Sequence, residues 1–246
     1  QHVAPLPAGA IGMRVGPAFA ASDALRVTLY GRGGHGSRPD ATVDPVVLAA
    51  AVILRLQTIV SREIPATETA VVTVGSVQAG SAANIIPDSA ELKLSIRTFD
   101  EGVRATVLAA VERIVRGEAL AAGADRDPVI ESLHAFPAVV NDEAGVERAR
   151  QAFAQALERV MVVDPGVVTG SEDVGILARE SGAPCVFWLL GGADPAHFAG
   201  LGSVAEITAK VAELPSNHSP QFAPVVRPTL DVGVGAFVAA ARAWLS

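Results

Sequence analysis

Five histidines, His2, His35, His134, His197 and His218, carry most of the chemical potential of this chain. Imidazole can ligate a metal, move a proton or donate a hydrogen bond near neutral pH. His35 has the most distinctive surroundings, the run GRGGHGSRP at 31–39. Gly31, Gly33, Gly34 and Gly36 let the backbone take a positive φ or approach a ligand closely. The spacing matches neither a phosphate loop nor a dinucleotide fingerprint. The plain alternative is an exposed turn, with Arg38 and Asp40 as a surface ion pair. His2 stands in QHVAPLPAG and His218 in PSNHSPQF. Neighbouring prolines stiffen both segments, which suits a metal ligand. The two lie too far apart for a local motif, and no H-E-x-x-H, H-x-H or C-x-x-C occurs. A catalytic zinc commonly needs three protein ligands and an open position, so spacing alone leaves a metal site as one option. Asn84, in AGSAANIIPD, reads as a turn residue. Arg97, in SIRTFD, falls on the polar side of a strand. Glu172-Asp173 reads as a helix start, and no G-x-S-x-G elbow is present.

The elements that must position these residues follow from periodicity. Leu25, Val27 and Leu29 alternate with Arg26, Thr28 and Tyr30, which predicts a half-buried strand over 24–32. Asp44 as N-cap and Pro45 in the first turn open a helix to about Arg62, with Val47, Ala50, Ala51, Leu54 and Ile59 on or near one face. Strands follow at 69–77 and 91–99. Asp100 caps a helix over 101–121, and a strand at 128–140 ends the unit. The order β-α-β-β-α-β is that of a ferredoxin-like fold. Residues 1–20 show no sustained period. After Asn141 the pattern predicts a helix from Glu143 to Arg159, a short strand at 160–163 and a helix from Ser171-Glu172-Asp173 to Glu180. It then predicts a doubly buried strand at 183–190 ended by Gly191-Gly192, and a helix over 229–245. The expected architecture is a ferredoxin-like domain, 23–140, inserted in an incomplete α/β domain made of 1–22 and 141–246.

Composition narrows the functional class. The chain has 246 residues, half of them hydrophobic and 18% charged, with mean hydropathy +0.38. It can bury a core, which excludes global disorder. Its apolar stretches are broken before about 18 residues, so no membrane-spanning helix is expected. A net charge of −7 without a basic block makes nucleic acid and anionic membranes poor partners. The single Cys185 excludes an internal disulfide framework and argues against a cysteine zinc site. No secretory signal is visible at Gln1, and a cytoplasmic location is expected. The missing initiator Met suggests that the natural N-terminus lies elsewhere.

Taken together, HVAPLPAGAIG, GRGGHGSRPDATVDPV, LQTIVSREI, SAANIIPDSAELKLSIRTFD, FPAVVND, GSEDVGILA and NHSPQF resemble the zinc-dependent amidohydrolase and exopeptidase family of aminoacylases, hippurate hydrolases and N-carbamoyl-amino-acid hydrolases. The resemblance is collinear over almost the whole chain and implies that it is the C-terminal part of such an enzyme. It implies hydrolysis of the amide bond of N-acyl or N-carbamoyl amino acids, a divalent metal (zinc, with manganese or cobalt as alternatives) and a homodimer. It also assigns roles. His2 and His218 match metal ligands. His35 matches the histidine that reaches a dimer partner's active site and polarises the scissile carbonyl. Asn84 and Arg97 match substrate-binding residues, and Glu172-Asp173 match a pair near the active site. The family's Cys/His or His/Asp ligand motif and its Glu-Glu segment with the general base have no match in this chain, and Val174 replaces the usual phenylalanine. The alternative is a non-catalytic dimerising or ligand-binding remnant of the family.

Overall fold

Leu25, Val27 and Leu29 point one way and Arg26, Thr28 and Tyr30 the other, so their strand is stable only with one face covered. That is how they stand in the computed structural model, which describes residues 1–158 and 160–245. In chain order the elements are β1 (His2–Pro7), β2 (Ala10–Gly12), β3 (Gly16–Phe19), β4 (Ala21–Tyr30), β5 (Gly34–His35), α1 (Pro45–Thr58), β6 (Ala70–Ala79), β7 (Ile85–Ile86) and β8 (Ser89–Thr98). They continue as α2 (Glu101–Ala121), β9 (Val129–Phe136), β10 (Val139–Asn141), α3 (Glu143–Ala156), β11 (Met161–Val163), α4 (Val174–Ser181), β12 (Leu189–Ala193), α5 (Val204–Glu213) and α6 (Val226–Leu245). The chain divides into two units. One comprises Phe19–Ala138 with Thr169–Asp173, and the other Gln1–Ala18, Val139–Val168 and Val174–Ser246.

The first unit is the expected ferredoxin-like sheet, in the order β6-β8-β4-β9 with every pair antiparallel. Leu25, Val27, Leu29, Leu92, Leu94 and Ile96 meet Leu48, Val52 and Leu56 of α1 and Val107, Val111 and Val115 of α2 in one core. Both helices start where a carboxylate can accept their free amides. Asp44 accepts from Val46 N at 2.8 Å, and Asp100 from Val103 N at 2.9 Å. The buried face of α1 differs from the expected one. It is Leu48, Ala49, Val52, Leu56 and Ile59 that are buried, whereas Val47 and Leu54 are 66% and 73% exposed. α1 carries apolar residues on two stripes, and the sheet covers only one. Pro45–Glu63 is long and apolar enough, by length and composition, to cross a membrane, contrary to expectation. Its stripe from Leu48 to Ile59 is instead part of this core.

One buried ion pair ties α2 to β4. Asp23, 3% exposed, lies on the helix-facing side of its strand. Arg104 donates to it twice, each time at 2.7 Å, and also reaches Glu101 at 2.7 Å. The hydrogen bonds to Asp23 hold the guanidinium even more firmly protonated than usual, against the opposing effect of burial.

In the second unit a four-stranded sheet runs β1-β12-β2-β11. β1 is parallel to β12, β12 antiparallel to β2, and β11 parallel to β2. Three strands therefore lie in residues 1–20, where no period was expected. Pro5, Leu6, Pro7, Ala10, Ile11 and Gly12 are all buried, so no alternation marks them. The segment expected as one strand at 128–140 breaks at Pro137-Ala138. Its second part, β10, pairs with β3 in a separate ribbon. The strand expected at 183–190 is displaced to Leu189–Ala193 and runs through Gly191-Gly192. A Cβ on Gly191 would stand 1.9 Å from Pro7 O, so the glycine permits the strand contact instead of ending it. Residues 183–188 are held by the buried Asn141, whose amide donates to Phe187 O at 2.8 Å and accepts from Phe187 N at 2.7 Å. α3 ends at Ala156, and its expected end at Arg159 lies outside the described residues. Ile11, Met13, Phe153 and Trp188 centre this core, with the Phe153 and Trp188 rings edge-on at 5.2 Å.

Removing one member of a buried pair strands the other charge. Arg104→Ala is expected to destabilise the protein by about 3–5 kcal/mol in urea denaturation. A loss below about 1 kcal/mol, the range of an exposed pair, would mean that Asp23 is solvated after all.

Candidate active site

The glycine-rich loop is packed against its own unit and offers no open cradle. None of Gly31, Gly33, Gly34 and Gly36 has a positive φ. A Cβ on Gly31 would stand 2.2 Å from Val43 O, and one on Gly33 would stand 2.7 Å from Ile86 O. Gly31 and Gly33 thus serve close approach of backbone to backbone, and none of the four glycines uses the positive φ that its type permits. Asp88 closes the arrangement, accepting from Gly33 N through Oδ1 at 2.9 Å and from Gly31 N through its main-chain carbonyl at 2.9 Å.

This packing brings His35 and Asn84 together. β5 pairs with β7, placing Gly34 opposite Ile86 and His35 opposite Ile85. Gly36 N then donates to Asn84 O at 2.8 Å. A cleft of about 450 Å3 opens beside the pair, lined by Gly36, Asp44, Gly80, Ser81, Ala83 and Ile85 among others. His35 is exposed, yet its ring is fixed. Ser37 N and Ser37 Oγ both lie against Nδ1, at 3.1 and 2.7 Å. The backbone amide can only donate, so Nδ1 accepts and the neutral ring carries its proton on Nε2. His35 therefore presents an N–H donor. Ser37 and Asp88 were not singled out from the sequence. Ser37 is legible only as a small polar residue two positions after a histidine, and Asp88 only as a turn residue.

Arg97 stands elsewhere in the same unit, on the sheet face turned away from the helices. Its cross-strand neighbours are Ser22 of β4 and Val71 of β6. Nearby on that face, Arg26 pairs with Glu91 at 3.3 Å and Glu131 at 3.6 Å. Arg97 has no such acid among the described residues, and its Nη1 is buried without a hydrogen-bond partner. A buried guanidinium nitrogen without an acceptor is costly, since its hydration is lost and not replaced. His134 joins the row, with Nε2 3.4 Å from Ser22 Oγ, and was not assigned from the sequence.

The second unit brings the segments of His2 and His218 to one atom, the carbonyl oxygen of Val3. His2 Nδ1 lies 2.7 Å from it and Asn217 Nδ2 donates to it at 2.8 Å. A carbonyl only accepts, so Nδ1 of His2 carries a proton, and in the neutral tautomer the lone pair is on Nε2, the arrangement found in metal-bound histidine. His218 is exposed and has φ 70°, a left-handed backbone rare outside glycine and enriched at functional sites. Imidazole is a common metal ligand, but two histidines do not complete a site. Among the described residues no three His, Cys, Asp or Glu side chains gather as a metal cluster. Cys185 is free and half-buried, and burial pushes its thiol pKa up. Glu172 and Asp173 precede α4, as expected of a helix start.

Residues 21–122 match the M20_dimer family model, described as a peptidase dimerisation domain. The chain is 36% identical over 150 residues to an N-acetylcysteine deacetylase of Bacillus subtilis, a match covering 61% of this chain and 39% of that enzyme. It is 38% identical over 144 residues to an N-acyl-L-amino acid amidohydrolase of Geobacillus stearothermophilus, covering 58% of this chain and 38% of the other. Among solved structures, it resembles the Bacillus subtilis YXEP protein, a dinuclear metal binding peptidase from the M20 family. That likeness has TM-score 0.68 at 24% identity and covers 99% of this chain and 55% of that one. The chain thus spans about two fifths to just over half the length of these relatives.

Since Gly33 has no room for a side chain, Gly33→Ala is expected to push the loop off Ile86 and Asp88. The expected cost is about 1–3 kcal/mol, with faster hydrogen exchange at the Gly36 amide. Unchanged exchange at Gly36 would show that the β5–β7 contact does not depend on that glycine.

Proposed function

Because the chain belongs to the M20 peptidase and amidohydrolase family, we propose that it supplies part of the active site of a metal-dependent amidohydrolase acting on N-acyl or N-carbamoyl amino acids. The observation that carries this reading is the fixed ring of His35. A neutral imidazole with its proton on Nε2 can donate to a carbonyl oxygen as negative charge develops there, and costs little reorganisation because Ser37 already orients it. Asn84, held to the same loop, would orient the substrate amide. Arg97, with Nη1 unpaired, would take the amino-acid carboxylate.

His2 and His218 are the metal ligands we assign to this chain, with His2 held by Val3 O so that Nε2 is free to coordinate. A divalent metal there, zinc first with manganese or cobalt as alternatives, would polarise the scissile carbonyl and make a bound water acidic. The further ligands and the general base belong, in this reading, to the part of the enzyme that this chain does not match. The partner is a second copy. The family match at 21–122 and the exposed α1 stripe of Val47 and Leu54 support that assignment. His35 would act across the dimer.

In the active holoenzyme, His35→Ala is expected to lower kcat by about 10²–10³ with bound metal unchanged. His218→Ala is expected to lower metal occupancy, with activity partly restored by excess metal. Parallel measurement of turnover of N-acetyl and N-benzoyl amino acids and of bound metal checks both. Unchanged kcat in His35→Ala would remove this residue from the reaction, and stoichiometric metal without turnover would favour the non-catalytic remnant.

A further inference from the structure

The segment that carries His35 runs on from the β4–β8 ladder with one irregularity. Tyr30 faces Ser89 in that ladder, and Gly34 and His35 face Ile86 and Ile85 in the β5–β7 pair. Between these pairings three residues, Gly31, Arg32 and Gly33, stand opposite two, Pro87 and Asp88. The loop side holds one residue more than its partner, as in a β-bulge. A slip of one residue sends every later side chain to the opposite face, so this irregularity sets the side on which His35 emerges.

A bulge leaves ladder groups without their regular partners. Pro87 has no N–H to offer. Arg32 turns away from it and exchanges both backbone hydrogen bonds with Val43, donating at 2.9 Å and accepting at 3.0 Å. Gly31 and Gly33 are both served by Asp88. Its carbonyl accepts from Gly31 N as a strand residue would, and its Oδ1 accepts from Gly33 N, each at 2.9 Å. The carboxylate thus stands in for an acceptor that the backbone does not supply at the bulge. Asp88 is exposed, so water can serve Gly33 N when the side chain is cut back. Loss of the carboxylate should slacken the joint without unfolding the unit.

We propose that Asp88 is a positioning residue for His35. Its Oδ1 holds the bulge at Gly33, two residues before the histidine, and so fixes the direction in which the ring presents its Nε2–H. Asp88 acts through the backbone and touches no substrate. This role rests on the proposed part of His35 in the reaction for its effect on turnover, but not for its effect on the ring. The bond runs to a neutral amide, so the position asks for an acceptor oxygen and not for a charge. Asparagine supplies that oxygen and alanine does not.

Asp88→Ala and Asp88→Asn are compared with the unaltered chain by hydrogen exchange and by nitrogen-detected NMR of the histidine-labelled protein, and in the active holoenzyme by turnover of N-acetyl amino acids. In Asp88→Ala the Gly33 amide is expected to exchange more than about tenfold faster. The His35 Nδ1 signal should move toward that of a free imidazole as the contact with Ser37 loosens, while the signal of His134, in the same unit, stays in place. kcat should fall by about tenfold to a hundredfold, with KM and bound metal unchanged. Asp88→Asn should restore the exchange rate, the ring signal and kcat. An unchanged His35 signal in Asp88→Ala overturns the proposal. So does an Asp88→Asn variant as impaired as Asp88→Ala, which would make the charge the active feature. Failure of Asp88→Ala to fold, or a shift of His134 together with His35, would make the role a general structural one and overturns it too. A His35 signal that moves while kcat stays upholds the positioning and counts only against the part of His35 in the reaction.

Discussion

Two missing side chains set the geometry on which the functional reading depends. Gly31 and Gly33 lie so close to Val43 O and Ile86 O that a Cβ at either place would overlap a carbonyl oxygen. Only with both positions bare can the loop between β4 and α1 fold onto Ile85–Ile86 and Asp88. That contact leaves the loop two faces. One is sealed by backbone hydrogen bonds to Asn84, Asp88 and Val43. The other carries His35, whose ring Ser37 holds from behind. A histidine on a loop becomes a directed donor because the loop has no other way to pack.

The loop in turn hangs on a rigid frame. It leaves the end of β4, the strand flanked by β8 and β9, and enters α1 at the Asp44 cap. β4 is tied to α2 by the buried Asp23–Arg104 pair and by the shared core. Burying that pair gains little net stability, but losing either partner would leave the other charge stranded between helix and strand. The open sheet face then receives Arg97 at a set position. In the second unit a single carbonyl, Val3 O, plays the corresponding part by accepting from both His2 and Asn217.

What was legible in the sequence follows from how each part is stabilised. β4 and β8 bury one face each, so alternation in Leu25–Leu29 and Leu92–Ile96 gave them away, and local caps marked the starts of α1 and α2. β1, β2 and β3 are short and buried on both sides, so no period reveals them. β12 was displaced because glycine normally ends a strand, whereas Gly191 is needed for contact with Pro7. For α1 the stripe was legible but its partner was not. Val47 and Leu54 are as apolar as Leu48 and Val52, and only the tertiary fold decides which pair is inside. Convergence of the His2 and His218 segments across almost the whole chain has no local signal, and only resemblance pointed to it. The tautomer of His35 depends on the direction of two hydrogen bonds, which residue identity does not encode.

The claim that His35 is a pre-oriented donor is tested most directly by the protonation pattern of its ring. Nitrogen-detected NMR of the histidine-labelled protein at alkaline pH reads both ring nitrogens. A proton on Nε2 alone and a hydrogen-bonded lone pair on Nδ1 are expected, with the Nδ1 signal moving toward that of a free imidazole in Ser37→Ala. A proton on Nδ1 in the neutral ring, or a His35 signal indifferent to Ser37→Ala, would contradict it.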